Sequence, residues 1–294
     1  MASLIRKIEY VSRLQLGFLS ATWLAGIYVN GFVPIVPGTD AGTILLIPAV
    51  GLHVVLASLS AATSVFIFAL AWASGSKRAA VFSFLASASI VVAGDSGLAF
   101  VLGGASDDAE SMIMATAFIT AIFLTFLSMV SLPADPAATR GKAAGRAPLV
   151  LCCLSLSLAY AVFVTGIYVN LFVAGPVFSL PLNSESAAFT QAEQSAPFVL
   201  HELLGAALLL TLALLTVSLW LAGTRRLSLL SAVPVFFVAY SSYVGSLNLT
   251  SPVSASPTGA LSALVPMLSA AGFMAAIVIT MLLTSRVRNN ARQR

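Results

Sequence analysis

The feature that most limits the fold of this chain is a series of eight long apolar runs separated by short polar segments. A helix needs about 20 mostly apolar residues to cross the hydrocarbon core of a bilayer, and each run reaches that length. Only 8% of the 294 residues are charged and 59% are hydrophobic, which excludes an ordinary soluble domain. The sequence predicts an all-α membrane protein whose eight transmembrane helices occupy residues 15–36, 44–73, 79–103, 111–132, 149–174, 196–222, 227–248 and 259–284.

The positions of the basic residues predict the orientation of these helices. All 14 Lys and Arg residues precede the first run, follow the eighth, or lie between runs two and three, four and five, or six and seven. Because cytoplasmic loops carry the excess of Lys and Arg, both termini are predicted to be cytoplasmic, in a multi-pass protein of the plasma membrane. The net charge of +4 is explained by topology, so the expected partner is the lipid bilayer and not nucleic acid.

The two halves of the chain repeat one pattern. The matches are Gly26–Asn30 with Gly166–Asn170, His53 and Trp72 with His201 and Trp220, and Met112–Phe118 with Met267–Phe273. Their separation grows from 140 to 148 to 155 residues, and each step falls in an outer loop, where insertions are tolerated. Four helices return the chain to its starting side, so the copies are predicted to be parallel: a first repeat over 1–139, a cytoplasmic linker over 140–148 and a second repeat over 149–294.

His53 and His201 are the only histidines of the chain, and each lies near the outer end of the second helix of its repeat. An ionisable residue inside a membrane helix indicates a functional site by default. The alternative is a histidine that only hydrogen-bonds a neighbouring helix. Because both histidines occupy matched positions, we predict that they are cofactor ligands.

Met112 and Met267 occupy matched positions at a similar depth in the fourth helix of each repeat. Haem iron takes two axial ligands, and His with Met is an established pair in cytochromes. The sequence thus predicts two haem b groups, one held by His53 and Met112 and the other by His201 and Met267. Methionine is also a common core filler, which remains the alternative. Met114 is the weaker candidate ligand because its counterpart is a serine.

Other polar residues lie near the same ends of the helices. Tyr28, Asn30, Tyr168 and Asn170 of the repeated Gly-Ile-Tyr-Val-Asn segments are predicted either to line the outer part of a cofactor pocket or to anchor the helix ends at the interface. Asp95, in the third helix, is the only carboxylate deep in the first half. It is predicted to be a neutral or hydrogen-bonded packing residue, or part of a proton path.

Two fused four-helix bundles, each with a histidine in its second helix followed by an apolar stretch such as His201–Ala206, resemble the haem A synthase family. The resemblance covers nearly the whole chain. Residues 165–176 are also similar to that family's glycine-containing helix and the proline-containing loop after it. The resemblance implies one haem pocket per half, near the outer face, between the second and fourth helices.

The chain departs from the haem A synthase pattern at specific positions. The family's histidines of the fourth and eighth helices align with Met112 and Met267, and its catalytic glutamate aligns with Val50 and, in the second half, with Phe198. Three functions therefore stay open. The first is a b-type cytochrome of a respiratory chain, served by a quinol or an outer-side electron-transfer protein. The others are a haem-modifying oxygenase and a haemless assembly subunit of a respiratory complex.

Overall fold

The computed structural model describes residues 2–33, 39–103, 108–132, 146–169, 172, 195–250 and 259–291. These residues form helices and short connections, and no β-strand occurs among them, so the predicted all-α class is confirmed. In chain order the helices are α1 (Ala2–Phe32), α2 (Ala41–Leu45), α3 (Pro48–Ala73), α4 (Lys77–Leu102), α5 (Asp108–Ser131), α6 (Arg146–Tyr168), α7 (Ala196–Leu221), α8 (Arg225–Thr250) and α9 (Gly259–Ala291).

Six helices within the described ranges are long and apolar enough to cross a membrane, by length and composition. They are α3, α4, α5, α6, α7 and the Ala270–Val287 part of α9. The two remaining predicted spans are α1, which carries polar residues such as Gln15 and Tyr28, and α8, whose side chains are described only to Tyr243. These six helices agree with a multi-pass membrane protein, and a total of eight spans stays a prediction.

The second predicted span begins later than residue 44. The short helix α2 is capped by Asp40, whose side chain accepts a hydrogen bond from the backbone N–H of Thr43 at 2.9 Å. Hydrogen bonds from the Thr43 hydroxyl and backbone hold the pKa of this exposed carboxyl below its usual value. The long helix α3 then starts at Pro48, because proline lacks an N–H group and fits the first turn of a helix.

The chain divides into two compact units, Met1–Ala137 and Ala138–Arg294, and the helices of each unit form a ring. In the first unit, α1 and α4 each pack against both α3 and α5, so α3 and α5 lie diagonally opposite one another. In the second unit, α6 and α8 flank α7 and α9 in the same way. The diagonal helices are the ones that carry the predicted histidine and methionine ligands.

The second and third long helices of each unit keep one register. Helices α3 and α7 both have 26 residues and a proline in the first turn, and α4 and α8 also have 26 residues each. The turn after α3 contains Gly75 at φ 70° and the turn after α7 contains Gly223 at φ 73°, 148 residues apart. Residues with a side chain rarely adopt this left-handed backbone conformation, so both turns require glycine for the same reason.

Pairs of serine hydroxyls join the helices of the first unit. Ser64 and Ser87 lie 2.8 Å apart between α3 and α4, and Ser83 and Ser128 lie 2.7 Å apart between α4 and α5. Hydroxyl groups in membrane helices gain from such partners, at about 0.6 kcal/mol each. The pairs help to fix α4 between the two helices that carry the predicted ligands.

Candidate functional site

His53 is the sixth residue of α3, and its imidazole faces α1. The ring nitrogen Nδ1 lies 2.9 Å from the carbonyl oxygen of Thr22. A carbonyl oxygen only accepts hydrogen bonds, so Nδ1 carries the proton and donates it. A neutral imidazole has a single ring proton, and the other nitrogen, Nε2, is therefore left with a lone pair that can bind a metal.

His201 is the sixth residue of α7 and has the same arrangement toward α6. Its Nδ1 lies 3.1 Å from the hydroxyl oxygen of Thr165, which itself donates to the carbonyl oxygens of Ala161 and Val162 at 2.8 and 3.1 Å. Because the proton of that hydroxyl is committed, the hydroxyl accepts from Nδ1–H. The backbone of Val162, the counterpart of Thr22, also hydrogen-bonds the ring. The second imidazole thus also presents an unprotonated Nε2.

The glycines of the repeated segments explain why each imidazole can approach a helix backbone. A carbonyl group in a helix points along the axis toward the residue four positions later, and those residues are Gly26 after Thr22 and Gly166 after Val162. A Cβ atom on Gly26 would lie 3.0 Å from Cε1 of His53, and one on Gly166 would lie 2.9 Å from Cε1 of His201. Any larger residue would displace the ring from the carbonyl oxygen.

An aromatic pair stands beside each histidine contact. In the first unit, Trp23 of α1 stacks on Phe118 of α5 with ring centroids 6.5 Å apart and planes at 22°. In the second unit, Phe163 of α6 stacks on Phe273 of α9 at 6.3 Å and 28°. These four residues match at separations of 140 and 155. Each pair links the first and last helices of its unit next to the residue that contacts the histidine.

The structure places Met112 at the same end of the first unit as His53. Met112 is half-buried near the start of α5, and one turn later the hydroxyl of Thr116 is buried with no hydrogen-bond partner among the described residues. The sulfur of Met114 lies 3.0 Å from the position of a Cβ on Gly97, so Met114 packs against α4. The backbone of Met267 belongs to α9, but its side chain lies outside the described residues.

The predicted polar residues of the repeated segments are only partly described. Tyr28 is 46% exposed and Tyr168 is 41% exposed, and the ring of Tyr168 contacts that of Phe172 at 5.2 Å. Such exposure suits either the rim of a pocket or an anchor at the membrane interface. The side chain of Asn30 and the whole of Asn170 lie outside the described residues.

Each unit offers one histidine nitrogen, Nε2, as a possible ligand. Among the described residues, no three side chains of His, Cys, Asp or Glu come together in a way that could hold a metal ion. One imidazole with a free Nε2 per unit suits an iron whose four equatorial positions are filled by a porphyrin, and the protein then supplies only axial ligands. The orphaned hydroxyl of Thr116 and the nearby thioether of Met112 are compatible with such a group beside α5.

No protein-family model matches the chain, and no curated protein is significantly similar to it. The resemblance to haem A synthases is thus still a prediction drawn from the residues.

Several residues of the site were not singled out from the sequence. The carbonyl oxygen of Thr22 is a backbone atom, so no side-chain pattern points to it. Thr165 aligns with Ala25 and lies outside the repeat signal. Trp23 and Phe163, by contrast, are aromatic at matched positions three residues before the repeated glycines, and comparison of the two halves could have found them.

Proposed function

We propose that the chain is a membrane haem protein of eight spans that binds two haem b groups, one per unit, and transfers electrons near the outer leaflet as part of a respiratory chain. The observation that carries the proposal is the matched state of the two histidines. In both units the Nδ1 proton is held by the first helix and Nε2 is left as a ligand. In metal-binding histidines the second nitrogen commonly donates to a backbone carbonyl, which fixes the ring and the tautomer.

The residues available for the second axial position are the methionines of the diagonal helices. Met112 lies at the same end of its unit as His53, and Met267 is its counterpart in α9. When bound, haem supplies one-electron chemistry, and methionine in place of histidine raises its reduction potential. Electrons at such a potential suit a late step of a respiratory chain.

The same proposal includes the orientation of the protein in the membrane. All 14 basic residues are at the end of each unit opposite the histidines in the predicted topology, which supports cytoplasmic termini and histidine sites on the outer side. Electron donors and acceptors would then reach the sites from the outer leaflet or the outer surface. A quinol or an outer-side electron-transfer protein fits this position.

The electron-transfer function is favoured over haem modification by the residues that precede the histidines. Val50 is buried next to the first site and Phe198 is buried next to the second, at 5% and 8% exposure. These positions align with the catalytic glutamate of the haem A synthases that the chain resembles. Neither side chain can accept or donate a proton, so these two positions cannot supply that step.

An absorption spectrum of the purified protein tests the proposal. We expect two haem b per chain by pyridine extraction, and one haem each in His53→Ala and His201→Ala. Met112→Ala and Met267→Ala should keep the haem but change the reduced-minus-oxidised spectrum and lower the potential. Tyr10→Phe, at an exposed position at the other end of α1, is the control. Protein produced with haem in excess that binds none, or that loses both haems in a single histidine variant, would contradict the proposal.

A further inference from the structure

The side chain of Asp95 is exposed on α4, a helix that is long and apolar enough to cross the membrane. It is 18 residues after Lys77 and seven before Leu102, or about 27 Å and about 10 Å along the helix. Its exposed neighbours on α4 are apolar, among them Val91, Val92 and Leu98. A carboxyl group on such a surface is unfavourable in lipid, and an aspartate side chain is too short to reach the interface from this depth.

The carboxyl group of Asp95 has no hydrogen-bond or ion-pair partner within the part of the chain that the structure describes. The exposed position of Asp95 disfavours a packing role inside its own bundle, which was one sequence-based hypothesis. The other hypothesis, a proton path through the bundle, is also disfavoured because the side chain points away from the interior.

No cation of this chain can meet Asp95 at its depth in the predicted topology. Every Lys and Arg lies near the cytoplasmic end of the predicted spans. In α4 this is the end that begins at Lys77, far from Asp95. The two histidines are at a similar depth to Asp95, but each ring hydrogen-bonds the first helix of its own unit. A second copy in the same orientation has the same distribution, so it offers no cation either.

We propose that the face of α4 around Asp95 binds a membrane-spanning helix of a different protein that carries a Lys or Arg in its outer third. Charged residues within membranes are usually paired with one another, and the missing charge is positive. Ala88 and Ala99 are exposed on the same face, one on either side of Asp95, and their small side chains leave room for a long basic one. The inference rests on the predicted topology and is independent of haem binding.

A carbodiimide that reacts with uncharged carboxyl groups in apolar surroundings gives the first test. We compare the full chain in native membranes with the single purified chain in phosphatidylcholine vesicles, using Asp95→Asn as the unlabelled control. The ion pair predicts that Asp95 is protected in native membranes and labelled in the vesicles. Equal labelling in both membranes would mean a lipid-facing acid, and no labelling in vesicles would mean a partner within this chain; either result overturns the proposal.

A photo-crosslinking residue at Leu98, one turn from Asp95, gives the second test. In native membranes we expect an adduct with another protein, and sequencing of the adduct should reveal a Lys or Arg in its membrane span. Asp95→Asn keeps the shape and removes the charge, and should reduce the adduct about tenfold. An adduct that is unaffected by Asp95→Asn, or that joins two copies of this chain, would overturn the proposal.

Discussion

At the scale of residues, single contacts fix the orientation of each histidine ring. The ring is fixed by one oxygen atom of the first helix, and that oxygen is reachable because the next turn has a glycine. The two sites differ in one respect, since Thr165 adds a hydroxyl contact to His201 where the first unit has Ala25. We infer that the second imidazole is the more firmly oriented of the two.

We expect Gly26→Ala to disturb the first site without disrupting the second. A Cβ atom 3.0 Å from Cε1 of His53 forces the ring to move and should lower the free energy of unfolding by about 1–3 kcal/mol. The measurement is unfolding in mixed detergent micelles, followed by circular dichroism, together with the haem content. Gly17→Ala is the control, because a Cβ there meets nothing within 4 Å. Equal effects of the two variants would refute the role given to Gly26.

The sequence located both histidines but could not orient them. Position in a repeat is visible from spacing, whereas ring orientation depends on the Thr22 carbonyl, 31 residues away in the chain. The orientation of Asp95 could not be predicted from the sequence either. A hydrophobic helix gives no strong periodicity to separate its inner face from its outer one, so the outward position of this carboxyl became evident only in the structure.

At the scale of elements, the apolar runs predicted the long helices well and their ends less well. Helix α3 begins at Pro48 and not at residue 44, because the chain first forms the short helix α2. The α-helical part of α6 is described to Tyr168, and the predicted limit at residue 174 lies outside the described residues. Hydropathy averages over many residues, whereas helix ends depend on single prolines, glycines and caps.

The matched turns after α3 and α7 allow a test of their glycines. Gly75→Ala should lower the free energy of unfolding by about 1 kcal/mol, because alanine is strained at φ 70°. Gly75→Asn should cost less, since asparagine tolerates left-handed backbone better than other residues with a side chain. Thermal unfolding in detergent, followed by circular dichroism, gives the order of stability. If alanine proved as stable as glycine, the turn would not need the left-handed residue.

At the scale of the whole molecule, two units have the same order of helix packing, the same histidine state and matched aromatic pairs. The matched residues of the two units are 140, 148 or 155 positions apart in the sequence, because the loops between the matched helices differ in length. Ser64 and Ser87 pair in the first unit where the second has Leu212 and Val235, whereas in the second unit a hydroxyl pair of Ser231 and Thr216, 3.0 Å apart, joins α7 and α8.

The predicted orientation in the membrane requires that the two units are parallel and that each unit crosses the bilayer four times. Single cysteines at Leu46, Ser74 and Ala222, and one added after Arg294, test this in a chain whose own cysteines are replaced by alanine. A membrane-impermeant maleimide should label position 46 in intact cells. The other three should react only after permeabilisation, because they lie on the basic, cytoplasmic side.

Each alternative topology gives a different pattern of labelling. Inverted units would place positions 74 and 222, which occupy equivalent turns after α3 and α7, on opposite sides of the membrane. If α1 failed to cross, position 74 would be labelled from outside and position 46 would be protected. If α8 failed to cross, the cysteine after Arg294 would be outside while position 222 stayed inside. The two least apolar of the predicted spans are therefore each tested by a separate position.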